Sequence, residues 1–257
     1  MRYLTAYYTD KGRRKAVNQD SLLVLREKYE KGEAVLAVIC DGMGGLEKGE
    51  VASQAVVRHF SEWFQEIFVQ IKEKEEEDFE DELYESWENL LQAAHQQIRQ
   101  YGKLNGIKIG TTVTAFLLAR GNYYFTHIGD CRLYELTENI SCLTADQTLA
   151  SLGSMDNRNL PGKEKGKKSS SILIQGLGAS EKIRPIYQSR RVTEETVYLL
   201  CSDGFRHEIS EKELLTAFDP VKMDSEEKMA EKAKEITEEV LERGEKDNIS
   251  VILIRTM

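Results

Sequence analysis

The sequence predicts an α+β domain of mainly antiparallel sheet, and three observations lead there. Short apolar runs rich in Val, Ile, Leu and Tyr come in groups. Longer stretches with helical apolar spacing fall between those groups. Neighbouring strands are joined by turns too short to hold a crossover helix, which argues against alternating βαβ units.

The strands are expected at residues 3–9, 21–26, 34–40, 112–119, 123–128, 197–201 and 249–254. Arg120-Gly121-Asn122 between the fourth and fifth is a hairpin signal. A first helix is expected where Val51, Ala55, Phe60, Phe64, Phe68 and Ile71 keep near-helical spacing. A second follows Leu83, Trp87, Leu91, Ala94, Ile98 and Tyr101, and a third follows Met229, Ala233, Ile236 and Val240. A short fourth covers 211–218. These stripes are read as core packing. The acidic run 73–82 reads as a solvated helix start or loop. Residues 153–171, rich in Gly, Asn, Ser and Lys, read as a surface loop, with a basic flap beside an anionic substrate as the functional alternative.

The chain has 257 residues, enough for one large domain, which is expected to span 1–257. Its formal net charge of −9 argues against a nucleic-acid partner, which usually meets a basic patch. The first residues lack the apolar stretch of a signal peptide, and no run of 18 apolar residues predicts membrane insertion. Cys40, Cys131, Cys142 and Cys201 form no CxxC pair and suit neither zinc nor a disulfide framework, so a reducing cytoplasm is the expected setting.

Three aspartates share one context. Asp41 follows the apolar run 34–40 and precedes Gly42. Asp203 follows the strand ending at Cys201 and precedes Gly204. Asp247 precedes Asn248 and the strand 249–254. If those strand ends lie together, three carboxylates converge and repel one another unless divalent cations intervene. Oxygen ligands favour Mg²⁺ or Mn²⁺. One Asp-Gly after a strand would mark only a turn, but two such sites plus Asp247-Asn248 weaken that reading. The glycines after Asp41 let the backbone turn sharply and offer a carbonyl oxygen to a metal.

Other glycine-rich and thiol chemistries fail on position. A dinucleotide fingerprint needs a glycine where Glu47 stands, and a P-loop needs Lys-Ser/Thr after Gly49, where Glu50 follows. A cysteine phosphatase needs an arginine six residues after its nucleophile. The four cysteines have Leu46, Thr137, Thr148 and His207 there. A metal-activated water is therefore the better nucleophile. His59 and His95 fall in helices, and His127 reads as packing at a strand end. His207 could act as an acid beside Asp203, a reading that ranks low.

Taken together, these segments resemble the metal-dependent Ser/Thr protein phosphatases of the type 2C (PPM) family in its bacterial form. The segments are GRRKAVNQDS at 12–21, VICDGMGG at 38–45 with GEVAS at 49–53, GTT at 110–112, IGDCR at 128–132, LTAD at 143–146, CSDG at 201–204 and KDNIS at 246–250. They run in family order over nearly the whole chain.

The resemblance implies a four-layer αββα sandwich, two antiparallel sheets covered by helices. It implies that Asp41, Asp203 and Asp247 hold one metal, and that Asp41 and the Gly42 carbonyl hold a second. A water bridging the two Mn²⁺ or Mg²⁺ ions would attack the phosphorus of phosphoserine or phosphothreonine. A third ion would use Asp130 and Asp203, with Asp20 acting through water or behind the ligands. The family's phosphate-gripping arginine corresponds to Lys15 here, with Arg14 beside it, so either cation is a candidate grip. Gln19 stands where a glutamate is common. Expected partners are phosphoproteins, the substrates of a bacterial Ser/Thr kinase, and a monomeric state is expected. Two rivals remain: a phosphatase-fold module that binds without turnover, and a two-metal nuclease, which the acidic charge disfavours.

Overall fold

The computed structural model describes residues 1–43, 48–151 and 172–257. The strands are β1 (Tyr3–Asp10), β2 (Ser21–Tyr29), β3 (Gly32–Cys40), β4 (Val113–Ala119), β5 (Asn122–Ile128), β6 (Arg132–Leu136), β7 (Ile140–Cys142), β8 (Ile186–Arg191), β9 (Val197–Cys201) and β10 (Ile249–Thr256). The helices are α1 (Gly49–Trp63), α2 (Val69–Ile71), α3 (Glu76–Asn105), α4 (Asp203–Arg206), α5 (Glu211–Ala217) and α6 (Glu226–Glu242). A π-helical turn, Phe64–Phe68, joins α1 to α2.

The strands form two antiparallel five-stranded sheets, ordered β1-β10-β9-β6-β7 and β2-β3-β4-β5-β8. The expected α+β architecture of two sheets covered by helices is what the chain adopts. Strand β3 shows why. Its residues from Ala34 to Cys40 are all buried, because both faces of its sheet are covered. Val35, Ala37 and Ile39 join Phe116, Phe125, Tyr198, Leu200 and Ile252 in the core between the sheets. Leu36, Val38 and Cys40 face the opposite way, into a core with Phe60, Trp87 and Leu91 of α1 and α3. A third core packs Met229, Ala233, Ile236 and Val240 of α6 on Leu199, Val251 and Leu253. Three apolar layers therefore separate four layers of secondary structure.

Local signals fix several ends. Arg120 and Gly121 both take left-handed backbone, φ 58 and 76, and Ala119 pairs directly with Asn122. That is the two-residue turn whose twist matches an antiparallel hairpin. Helix α5 opens with a capping box between Ser210 and Glu213. The acidic run 73–82 does lead into a helix, α3.

The structure also differs from expectation. It adds β6, β7, β8 and the short α4, none of which the apolar pattern marked. Strand β8 is an edge strand, polar and largely exposed, held by β5 on one side. Such a strand buries only part of its side chains, Tyr187 among them, and leaves little hydrophobic signature. Thr112 lies outside β4 because its backbone and side chain serve Asp41 instead. The loop 153–171, with its lysines, lies outside the described residues. Among the described residues, no helix is long and apolar enough to cross a membrane.

Candidate metal centre

Antiparallel pairing brings the predicted strand ends to one edge of the sandwich. Ser21 pairs with Cys40, so Asp20 and Asp41 sit side by side beyond β2 and β3. In the other sheet, Cys201 pairs with both Val251 and Arg132, which sets Asp203, the 247–250 segment and the 130–132 turn at the corresponding end.

Glycines permit the close approach. A Cβ on Gly42 would stand 2.6 Å from both the Gln19 and Gly49 carbonyl oxygens. Gly12, at φ +75, passes so near Asp247 that a Cβ would meet its carbonyl oxygen at 2.3 Å. Bulk at either position would push these loops apart.

Hydrogen bonds then fix the loops. Asp41 is gripped through its backbone. Its N–H donates to Thr112 Oγ1 at 2.9 Å, and its carbonyl accepts from Thr111 Oγ1 at 2.8 Å and from the Thr112 N–H at 2.9 Å. Asn248 stitches the first loop to β10: its side chain accepts from the Gln19 N–H at 3.0 Å and donates to the Lys11 and Val17 carbonyls. Asp247 Oδ1 accepts from the Asn248 N–H at 2.8 Å and from the Lys15 ammonium at 2.6 Å.

The carboxylates sense one another. Burial raises Asp41 well above the usual carboxylate range, and the charges of Asp20, Asp203, Asp130 and Asp247 add to it. Burial pushes Asp20 to about 7, with Asp203 and Asp247 adding and the Ser250 and Ser202 hydroxyls opposing. Asp130 also rises to about 7, through burial and then Asp203, against the Arg206 charge. Asp203 is raised by burial, opposed first by His207. Lys15 is raised: burial opposes this, but the hydrogen bond to Asp247 and the charges of Asp247, Asp41 and Asp203 prevail.

These residues fit divalent cations. Both carboxylate oxygens of Asp20 and one of Asp203 are buried without a hydrogen-bond partner of good geometry, although the two serine hydroxyls lie near Asp20. Buried carboxylate oxygens that repel one another and lack well-placed donors are the acceptors a hard cation satisfies. Among the described residues, no three His, Cys, Asp or Glu side chains are already gathered into a coordination cluster. Lys15 pairs with Asp247 at 2.6 Å, which offsets part of the negative charge of the site.

Residues 9–246 match the sequence profile described as Protein phosphatase 2C. The chain belongs to that family. The serine/threonine phosphatase Stp of Listeria welshimeri is 29% identical over 262 residues, covering 96% of this chain and 94% of its own. The crystal structure of the Mycobacterium tuberculosis serine/threonine phosphatase PstP/Ppp superposes with a TM-score of 0.77 at 26% identity, covering 99% of this chain and 98% of that one. The catalytic domain of PstP in complex with two manganese ions gives a TM-score of 0.76 at 26% identity, over 98% of this chain and 97% of that one.

Against this family pattern, Asp20, Asp41, Gly42, Asp130, Asp203 and Asp247 all lie at one end of the sandwich, contributed by both sheets. Lys15 lies within it, whereas Arg14 is exposed. Three groups escaped the sequence reading. Arg132 pairs with Asp146 through two 2.8 Å bonds, and Arg206 reaches both Asp146 and the Asp130 carbonyl. Arg132 and Asp146 lie in segments the motifs already marked, so their pairing was a findable signal. The third group, Glu245 with His207, has no spacing that announces it.

His127 packs near the end of β5, as expected, fully buried one residue before its last, Ile128. It is bonded to Thr114 Oγ1 at 2.9 Å and to the Ala145 carbonyl at 3.2 Å.

Proposed function

We propose that this chain is an active, metal-dependent phosphoprotein phosphatase acting on phosphoserine and phosphothreonine, formed as one domain over residues 1–257. The observation that supports it most is the set of buried, unpartnered Asp20 and Asp203 oxygens beside Asp41, Asp130 and Asp247. Asp41, Asp203 and Asp247 are the proposed ligands of one ion, with Asp41 and the Gly42 carbonyl serving a second. Asp130 with Asp203 would serve a third, and Asp20 stands behind the ligands. Bound Mn²⁺ or Mg²⁺ supplies a nucleophilic water and positive charge against the phosphoryl oxygens.

The protein's own residues do the rest. Asp41, Asp203 and Asp247 fix the position of the reacting centre, and the Thr111–Thr112 bonds keep the Asp41 backbone from moving. Lys15, next to Asp247, is placed to meet the substrate phosphate as a point charge, with Arg14 in an outer role. The setting is cytoplasmic signalling: the substrates are proteins phosphorylated by a bacterial Ser/Thr kinase, and the enzyme acts as a monomer.

The deciding experiment is turnover of a phosphopeptide panel with Mn²⁺, with Mg²⁺ and with EDTA. Metal-dependent release of phosphate from phosphoserine and phosphothreonine peptides supports the reading. Tight phosphopeptide binding without turnover under every metal would establish the non-catalytic module instead.

A further inference from the structure

Two residues before Asp247, the chain places a carboxylate that the phosphatase reading does not use. Glu245 follows α6, with its N–H bonded to the Val240 carbonyl at 3.2 Å, and its side chain is only 7% exposed. One oxygen, Oε1, accepts the backbone N–H of Asp247 at 2.8 Å and that of Lys246. The other, Oε2, lies 3.2 Å from Nδ1 of His207. The opposite nitrogen of that ring, Nε2, lies 3.5 Å from Oδ2 of Asp203. His207 is itself tied to Asp203, four residues earlier on α4, by its N–H to the Asp203 carbonyl at 3.1 Å.

A single buried carboxylate therefore spans two loops from different parts of the chain. One arm holds the Asp247 backbone, and the other reaches the Asp203 carboxylate through an imidazole. Burial of its charge is offset by bonds from His207 and the two N–H groups, which together hold it below the usual range. An imidazole oriented on one side by a carboxylate and turned on the other toward a metal-type ligand is the arrangement by which outer residues fix inner ones.

We propose that Glu245 is a positioning residue that, through His207 and the Asp247 backbone, sets the spacing of Asp203 and Asp247 and thereby the affinity of the centre for divalent cations. The proposal rests on the reading of those two aspartates as ligands. Glu245 touches neither substrate nor cation. It determines how far two repelling carboxylates drift apart before a cation arrives.

The test titrates Mn²⁺ calorimetrically into chelator-treated protein and measures kcat as a function of Mn²⁺. The proteins are wild type, Glu245→Ala, Glu245→Gln, His207→Ala, the double variant Glu245→Ala with His207→Ala, and Asp203→Asn, each checked for folding by circular dichroism. Glu245→Ala is expected to weaken Mn²⁺ binding roughly 10–100-fold, while kcat at saturating Mn²⁺ stays within a few-fold of wild type. His207→Ala, which spares the Asp247 arm, is expected to weaken it less. Glu245→Gln keeps an acceptor for the backbone N–H groups and should fall between, and it replaces the alanine variant if that one does not fold. Removing both partners should cost less than the sum of the single losses, because they form one chain of contacts.

Wild-type Mn²⁺ affinity in folded Glu245→Ala or Glu245→Gln overturns the proposal. So does a loss of thermal stability with unchanged affinity. Failure of wild type to bind Mn²⁺, or unaltered binding by Asp203→Asn, instead removes the ligand assignment and the proposal with it.

Discussion

The Lys15 ammonium lies 2.6 Å from Asp247 Oδ1, and its side chain is 29% exposed. It pairs directly with a carboxylate of the site, while its neighbour Arg14 is exposed. Lys15→Ala is therefore expected to be the worse of the two alanine variants. Losing one charge-assisted phosphate contact costs roughly 1.5–3 kcal/mol in kcat/KM. Lys15→Arg should keep or improve activity, because a guanidinium grips phosphate with two parallel bonds. Mn²⁺ affinity should hold or tighten in Lys15→Ala, since the lysine competes for Asp247. The check is kcat/KM on one phosphopeptide at low and high salt, beside a Mn²⁺ titration. Small losses in both alanine variants that vanish at high salt would mean that neither residue makes a specific contact.

Activity is expected to disappear in EDTA and to return with Mn²⁺ or Mg²⁺. Asp203→Asn and Asp247→Asn should each lower kcat by about 100-fold or more, because the amide keeps the shape and removes the charge. Full turnover by protein shown metal-free by elemental analysis would sink the metal mechanism. Retained activity of both variants at saturating Mn²⁺ would show that the ligands are others.

His127 gives a pH prediction with a definite sign. It is fully buried inside β5, and burial lowers its pKa to about 4, with the Ala145 and Gly129 backbone and the Asp146 charge opposing. The folded state thus binds fewer protons than the unfolded chain, whose histidine titrates near about 6.5. The stabilising contribution is complete above that value and is lost as pH falls from it toward 4, a total of roughly 3 kcal/mol. Urea unfolding of wild type and His127→Gln at pH 7.5 and pH 5 checks it. The stability lost on acidification should be smaller in the variant, and an equal loss in both would show that other groups govern acid sensitivity.

Gly12→Ala should damage stability and activity together. Its φ of +75 strains any side chain, and the Asp247 carbonyl stands where the methyl would go. A cost of roughly 1–3 kcal/mol is expected, with weakened Mn²⁺ binding because Asp247 must shift. Gly106→Ala provides the comparison. It has φ +65 at the end of α3 but open space around it, so it should lose some stability and no activity. Thermal melts and kcat for both variants decide the matter, and an active Gly12→Ala enzyme would show that the close approach is dispensable.

Much of this molecule was legible in the order of its residues. Apolar runs such as 34–40 announce strands because burial on both faces requires apolar side chains at every position. The aspartates that follow or precede those runs announce a site because antiparallel strands share edges. The glycines after Asp41 announce a sharp turn because no Cβ obstructs the backbone there, whereas the close approach of Gly12 to Asp247 emerged only in the folded chain. The family order of the motifs supplied the sandwich that periodicity alone left open.

Tertiary structure decided the rest, for one reason: contacts between distant segments leave no period. Strand β8 forms because β5 offers an unpaired edge, not because its own side chains are apolar. Lys15 rather than Arg14 meets Asp247 because the 11–19 loop is stitched down by Asn248, more than two hundred residues away in sequence. Glu245 acquires its two arms only when the end of α6 is brought beside α4. Local sequence set the chemistry available to each segment, and the packing of two sheets face to face determined which of those groups stand near enough to act on one another.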